Sequence, residues 1–80
     1  MLLNMKFTTE TGSVYTLDKG TMGWCRVATE NSGKIRKEFG TLLVWPEVEV
    51  GKTAYLCDST IAPHCSHHYV FTSTVVSKED

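Results

Sequence analysis

The stretch LNMKFTTETGSVYTLD, residues 3–18, carries the pattern that decides the fold. Apolar side chains occupy every second position from 3 to 7, before a Glu-Thr-Gly turn, and again at Tyr15 and Leu17. A period of two is typical of a strand with one buried face, and a glycine-containing turn between two such runs is typical of a hairpin. The opening of the chain therefore predicts two antiparallel strands.

Turn signals recur at short and fairly even intervals along the chain. Their glycines are Gly12, Gly20, Gly33, Gly40 and Gly51. Threonine and valine are common and alanine is scarce, a composition that favours strands over helices. We therefore expect one all-β domain over residues 1–80, a small antiparallel barrel or sandwich of about six or seven short strands, similar in size to SH3 or OB-like barrels.

The second half of the chain gives three further strand predictions. Val48 and Val50 alternate with two glutamates, which predicts a strand with one wet face. Residues 42–45 are apolar and end at Pro46, which indicates a short buried strand. The alternation over 69–76 predicts the final strand.

Length and charge limit the classes of protein to which the chain can belong. A core of 80 residues is barely large enough by itself, so a disulfide, a metal ion or a partner subunit often completes such a domain. The net charge is −1, whereas nucleic-acid-binding proteins usually carry a basic excess. We expect self-association, with nucleic acid as a second choice of partner.

The cysteines and the first residues indicate a compartment. Cys25, Cys57 and Cys65 are odd in number, so they cannot all pair within one chain. Residues 1–6 lack the charged and apolar regions of a signal peptide, and no run approaches the roughly twenty apolar residues that span a bilayer. We expect reduced thiols, a cytoplasmic location and no membrane partner.

One basic cluster is the best candidate for a partner-binding surface. Its members are Trp24, Arg26, Lys34, Arg36 and Lys37. Basic groups interleaved with an aromatic ring are typical of proteins that hold single-stranded nucleic acid. The alternative is a solvated hairpin whose charge Glu30 and Glu38 balance.

The orientation of Trp24 is open, as is that of Trp45. If Cys25 and Val27 point inward, the ring of Trp24 is exposed beside Arg26 and resembles a protein-binding hot spot. In the opposite orientation, Trp24 belongs to the core and Cys25 faces outward. The alternation is equally consistent with both.

The most conspicuous metal-ligating side chains lie between 57 and 68. A zinc site would use Cys57, His64, Cys65 and His67, since imidazole and thiolate suit this metal. The spacing fits poorly, because adjacent His64 and Cys65 point apart in an extended backbone. The alternative is a polar loop that joins the last two strands.

Sequence patterns of catalysis are missing. The chain has no Gly-rich phosphate loop, nucleophile elbow or His-Glu helix motif. A nucleophilic Cys65 with a neighbouring histidine would lack the third group that holds the base. We therefore expect no enzymatic activity and no cofactor.

A Thr-Gly-Ser-x-Tyr turn occupies residues 11–15, and a Thr-Ser-x-Val strand occupies residues 72–75. In these two motifs the chain resembles small uncharacterised β-domain proteins of actinobacteria and their phages. The resemblance implies a compact β domain and transfers no functional residue.

The function expected from the sequence is a non-enzymatic protein-interaction module. The resemblance suggests a phage-encoded accessory protein that acts on a host or phage protein in the host cytoplasm. The alternatives are single-stranded nucleic-acid binding through the basic cluster and a zinc-stabilised β domain.

Overall fold

The computed structural model describes residues 4–30, 32–58 and 69–79, and these residues form seven strands. The strands are β1 (Asn4–Thr9), β2 (Val14–Asp18), β3 (Gly23–Thr29), β4 (Ile35–Thr41), β5 (Tyr55–Cys57), β6 (Tyr69–Phe71) and β7 (Val75–Glu79). Five of them form an antiparallel sheet in the order β4-β3-β2-β1-β7, and β5 pairs with β6 in a second sheet. The expected all-β class is confirmed, and the two sheets make the fold sandwich-like and not a closed barrel.

The predicted hairpin is formed by β1 and β2. Met5 lies opposite Leu17 and Phe7 opposite Tyr15, and the rings of Phe7 and Tyr15 stack with centroids 4.8 Å apart. Gly12 has a φ of 88° in the connecting turn, a conformation that a residue without a Cβ adopts at little cost. The alternation therefore places one face of the hairpin in the core, as predicted.

The core lies between the two sheets. Its buried apolar residues are Met5, Phe7, Tyr15, Leu17, Trp24, Leu42, Val48, Ala54, Leu56 and Val75. The small sheet contributes Leu56, which is fully buried. At its margin the backbone N–H of Ala54 donates to Oγ1 of buried Thr72 over 2.9 Å, so a polar group inside the fold is satisfied.

The large sheet therefore has an inner face, which packs on the core, and an outer face, which the described part of the small sheet does not cover. Phe7, Tyr15 and Trp24 lie on the inner face. The row Lys6, Thr16, Cys25 and Phe39 crosses four neighbouring strands on the outer face.

Three strand predictions need correction. Residues 45–49 form no strand, and Val48 is buried from a loop while Val50 is exposed. Residues 42–45 are not a buried strand either, since only the first of them is buried and makes an isolated bridge to Asp58. The final run is divided between β6 and β7.

The backbone explains why residues 42–45 do not continue a strand. The N–H of Leu42 donates to the carbonyl of Met22 over 2.6 Å, and the N–H of Leu43 donates to the carbonyl of Cys57 over 2.9 Å. Consecutive residues thus bond to different sheets, and the chain crosses between them. In the described residues, no helix is long and apolar enough to cross a membrane.

Candidate protein-interaction surface

Trp24 is a core residue, which corrects its assignment to a partner-binding surface. Its side chain is 4% exposed, and it lies between Leu17 and Gly40 of the neighbouring strands. Gly40 leaves room for the indole, and the indole N–H donates to the carboxylate of buried Asp58. Of the two orientations that the sequence left open, the structure has the one in which Cys25 faces outward.

Arg26 also lies on the inner face, where neighbouring groups neutralise it. Its Nη1 contacts Glu38 Oε1 over 3.1 Å, and its Nη2 donates to Ser13 Oγ over 3.1 Å. The guanidinium stands 6.0 Å from the ring centroid of Tyr15. These groups line an open cavity of about 270 Å³ together with Phe71 and polar side chains. The cavity therefore contains an ion pair and not a single available cation.

The other basic residues do not gather on one surface. Arg36 faces the inner side, opposite Ala28, and contacts Glu30 over 3.4 Å. Lys37 faces the outer side, opposite Val27, and Lys34 is exposed in the turn before β4. The basic cluster thus has its charges on two faces and its tryptophan in the core, so its five members do not lie together on one surface. Single-stranded nucleic-acid binding through these residues stays a prediction.

The predicted zinc ligands lie mostly beyond the described residues. His64, Cys65 and His67 fall within the segment 59–68, which the structure leaves out. Cys57 is partly buried at the end of β5 and is a free thiol. Within the described ranges, no group of three or more His, Cys, Asp or Glu side chains is placed to hold a metal ion. The zinc site stays a prediction.

A different feature stands out on the outer face, and we call it the outer patch. It consists of Val14, Cys25, Val27, Ile35 and Phe39. Cys25 lies directly opposite Phe39, and Val14 opposite Val27. Phe39 is 71% exposed and Ile35 is 59% exposed, whereas the other three are partly buried by their neighbours. On the same face Lys37 lies between Ile35 and Phe39 along β4. Exposed apolar side chains that include a phenylalanine, with a charged residue beside them, are typical of a protein-binding surface.

The outer patch reaches the free margin of the sheet, because β4 is an edge strand. Within the described residues, β4 pairs only with β3. Hydrogen bonds fix which backbone groups face the margin: Glu30 N–H donates to Lys34 over 2.8 Å, and Leu42 N–H donates to Met22 over 2.6 Å. Both bonds join residues that extend the residue-by-residue pairing of β3 with β4 beyond the ends of the two strands.

In an antiparallel pair, hydrogen-bonded and non-hydrogen-bonded positions alternate. The even-numbered residues of β4 therefore bond to β3, and the odd-numbered ones direct their N–H and C=O groups away from it. Among the latter are Ile35, Lys37 and Phe39, which we call the β4 edge. The same residues also carry their side chains on the outer face.

The opposite margin of the sheet is less regular. β7 has five residues, and its pairing with β1 shifts register between Thr8 and Thr9. A bulge twists an edge away from flat pairing and protects it from added strands. The seven residues of β4 pair with β3 without any such shift, so β4 is the more receptive edge.

Phe39 and Ile35 were not predicted as surface residues. Their signal was present as a weak alternation around Lys37, but an apolar period of two does not say which face is buried. An exposed aromatic pair, Tyr55 and Phe71, packs edge to face across the small sheet with ring centroids 5.0 Å apart. Nothing in the spacing of the sequence relates those two residues.

The outer patch and the β4 edge together form the candidate interaction surface. A shallow groove of about 350 Å³ lies beside them, with Thr16, Cys25 and Phe39 in its lining.

Protein-family models, curated proteins and solved structures were all compared with this chain, and none of them matches it.

Proposed function

We propose that the protein is a non-enzymatic interaction module that binds a protein partner along the β4 edge and the outer patch. One observation carries the proposal: two of the three residues of the β4 edge, Ile35 and Phe39, also present exposed apolar side chains. An extended segment can add to such an edge, with main-chain hydrogen bonds supplying affinity and alternate side chains supplying specificity.

The exposed side chains supply a driving force for this addition. Phe39 is 71% exposed and Ile35 is 59% exposed. Burying a large apolar side chain contributes about 1.5–3 kcal/mol. In addition, the backbone N–H and C=O groups of the β4 edge would form hydrogen bonds with the added strand, and these bonds are stronger where water is excluded. A partner that covers both side chains therefore gains from two sources at once.

The surface also defines the chemistry of its partner. A strand added to β4 brings every second side chain over the outer patch, because successive side chains alternate between the faces of a sheet. The partner segment should therefore be extended, with apolar side chains opposite Ile35 and Phe39 and a polar side chain opposite Lys37. The remaining side chains of the segment would lie near Arg36 and Glu38 on the inner side.

The resemblance of the chain ends to small β-domain proteins of actinobacteria and their phages supports a narrower proposal. An accessory protein encoded by a phage acts by engaging a host or phage protein, and a receptive edge suits that role. This assignment concerns origin and depends on the resemblance alone, whereas strand addition depends on the geometry of β4.

Selection from a displayed library of random linear peptides tests strand addition. We expect the selected peptides to carry alternating apolar residues and to shift the NMR amide signals of β4. Ile35→Ser should abolish their binding, while Val50→Ser should not, since both side chains are 59% exposed but Val50 lies away from β4. Peptides that bind equally well to both variants would contradict the proposal.

A further inference from the structure

We infer that the strand received by the β4 edge is β4 of a second copy of this chain, paired antiparallel with Lys37 on the two-fold axis. The inference rests on the proposed function, since it names the partner of the same surface. A two-fold contact presents the same surface patch on both subunits, so it must be complementary to itself. The sequence of β4 meets that requirement in one register.

A register is defined here by the residue of β4 that lies on the two-fold axis. Three registers near the middle of β4 allow the N–H and C=O groups of the odd-numbered residues to exchange hydrogen bonds between the two copies. Centring the axis on Arg36 places this arginine opposite its own copy. Centring it on Glu38 places two glutamates opposite each other. Like charges directly opposite destabilise a strand pair, and both clashes fall at non-hydrogen-bonded positions, where the chains approach most closely.

The third register, centred on Lys37, replaces these clashes with complementary pairs. Each Arg36 then lies opposite Glu38 of the second copy, and each Ile35 lies opposite Phe39. The two-fold axis doubles both contacts. This register thus aligns opposite charges on the inner side and apolar side chains on the outer side.

The one unfavourable contact in this register is between the two Lys37 side chains. They meet at a hydrogen-bonded position, where the strands are about 5.5 Å apart, and both face solvent. Long exposed ammonium side chains can diverge there, so the repulsion is small beside two charge pairs and two apolar pairs. The intrachain partners of Arg36 and Glu38 need not be lost, because a carboxylate accepts several hydrogen bonds.

Such pairing joins two five-stranded sheets into one continuous sheet. The exposed Phe39 of each copy then gains Ile35 of the other as an opposite neighbour. The exposed backbone groups of the β4 edge in each copy are then paired with those of the other copy. The remaining margins are the two bulged β7 edges.

Mixing wild-type protein with Lys37→Glu tests the register, and Lys37 is a suitable position because it makes no salt bridge among the described residues. In the Lys37-centred register, heterodimers gain a Lys–Glu pair on the axis. Native mass spectrometry of the variant mixed with isotope-labelled wild type should show heterodimers above the random fraction. In the other two registers position 37 faces an apolar side chain, so the random fraction is expected.

A charge exchange at the flanking positions gives a second readout. Arg36→Glu alone and Glu38→Arg alone should each weaken self-association by about tenfold, because each places like charges opposite one another. An equimolar mixture of these two variants should associate again, since every clash then becomes an opposite pair. Circular dichroism checks that each variant folds, and Lys34→Glu outside β4 is the matched charge control.

The outcomes separate this inference from the proposed function. Heterodimer excess together with recovery in the mixture supports the register. A wild-type chain that stays monomeric at its highest soluble concentration overturns self-pairing, and so does a dimer that none of these charges affects. A monomer that still selects peptides dependent on Ile35 retains the proposed function, whereas a monomer that selects none loses both.

Discussion

The indole N–H of Trp24 donates to the carboxylate of Asp58, and this hydrogen bond joins the two sheets inside the fold. Asp58 directly follows β5 of the small sheet and is 1% exposed, while Trp24 belongs to β3 of the large sheet. A buried carboxylate is costly unless hydrogen bonds compensate for its lost hydration. Leu42 forms a bridge with the same aspartate. The pair therefore holds the sandwich together at the point where the chain crosses between sheets.

Gly40→Ala should destabilise the protein strongly. A Cβ at this position would overlap the carboxylate oxygen of Asp58 and the indole nitrogen of Trp24, and it would lie 2.8 Å from Cγ of Asp58. Overpacking of this kind costs about 1–3 kcal/mol or more. Urea denaturation should show this loss in the free energy of unfolding.

Gly23→Ala is the matched control for that substitution. Its added Cβ would meet only Oγ1 of Thr21, at 3.1 Å, and Gly40 O at 3.9 Å. A hydroxyl at the end of a side chain can move aside, so a smaller loss of stability is expected. Equal losses in the two variants would contradict the role assigned to the Trp24–Asp58 pair.

Trp24→Phe should lower the free energy of unfolding by about 1–3 kcal/mol. The ring keeps much of its apolar contact, but the carboxylate of Asp58 loses the hydrogen bond from the indole, and losing a buried hydrogen bond to a charged group carries a cost of this size. Asp58→Asn in the Trp24→Phe background should lose less than in the wild type. Additive losses in this double-mutant cycle, measured by urea denaturation, would show that the two side chains are not coupled.

Alkaline pH should destabilise the wild type more steeply than Tyr15→Phe. Burial raises the pKa of Tyr15 above its ordinary value, although Arg26 lowers it in part. The unfolded chain then releases this proton first, near pH 10. The stability that the neutral phenol contributes is complete below that pH and is lost as the pH rises through the folded-state pKa. Urea titrations at about pH 9 and about pH 11 should show this difference, and parallel changes in both proteins would contradict it.

Phe39→Ala should leave folding stability within about 0.5 kcal/mol of the wild type, since exposed side chains contribute little to the fold. Phe7→Ala provides the contrast, because Phe7 is 1% exposed and loss of a core phenylalanine costs about 3–5 kcal/mol. Thermal unfolding measures both. A large loss on truncation of Phe39 would mean that its ring packs within the chain and is not offered to a partner.

Alternation predicted the strands whose two faces differ clearly. In β1 and β2 every second residue is buried, as the pattern of residues 3–18 indicates. In β4 the apolar residues Ile35 and Phe39 also occur with a period of two, counted through Lys37, but they lie on the exposed side. The hydrophobic period and the strand propensity of the residues depend only on neighbours along the strand. Which face of the strand is buried depends on the second sheet, which packs on one face only.

Contacts between residues that are distant in sequence determine the features of the fold that the sequence patterns did not predict. Gly40 reads as a turn signal, yet it lies within β4 and makes room for Trp24 and Asp58. Val48 alternates with glutamates as a strand would, but it reaches the core from a loop. The candidate surface was not predicted for the same reason: which strand lies at the margin of the sheet follows from topology, and local pattern does not encode it.

Amide hydrogen exchange of the dilute protein, followed residue by residue by NMR, tests the openness of the β4 edge most directly. We predict fast exchange at Ile35, Lys37 and Phe39 and slow exchange at the even-numbered positions between and beyond them, since only the latter bond to β3. Raising the protein concentration should then protect the three fast amides. Equal protection of both sets in the dilute monomer would mean that the chain covers this edge itself, which would contradict the account.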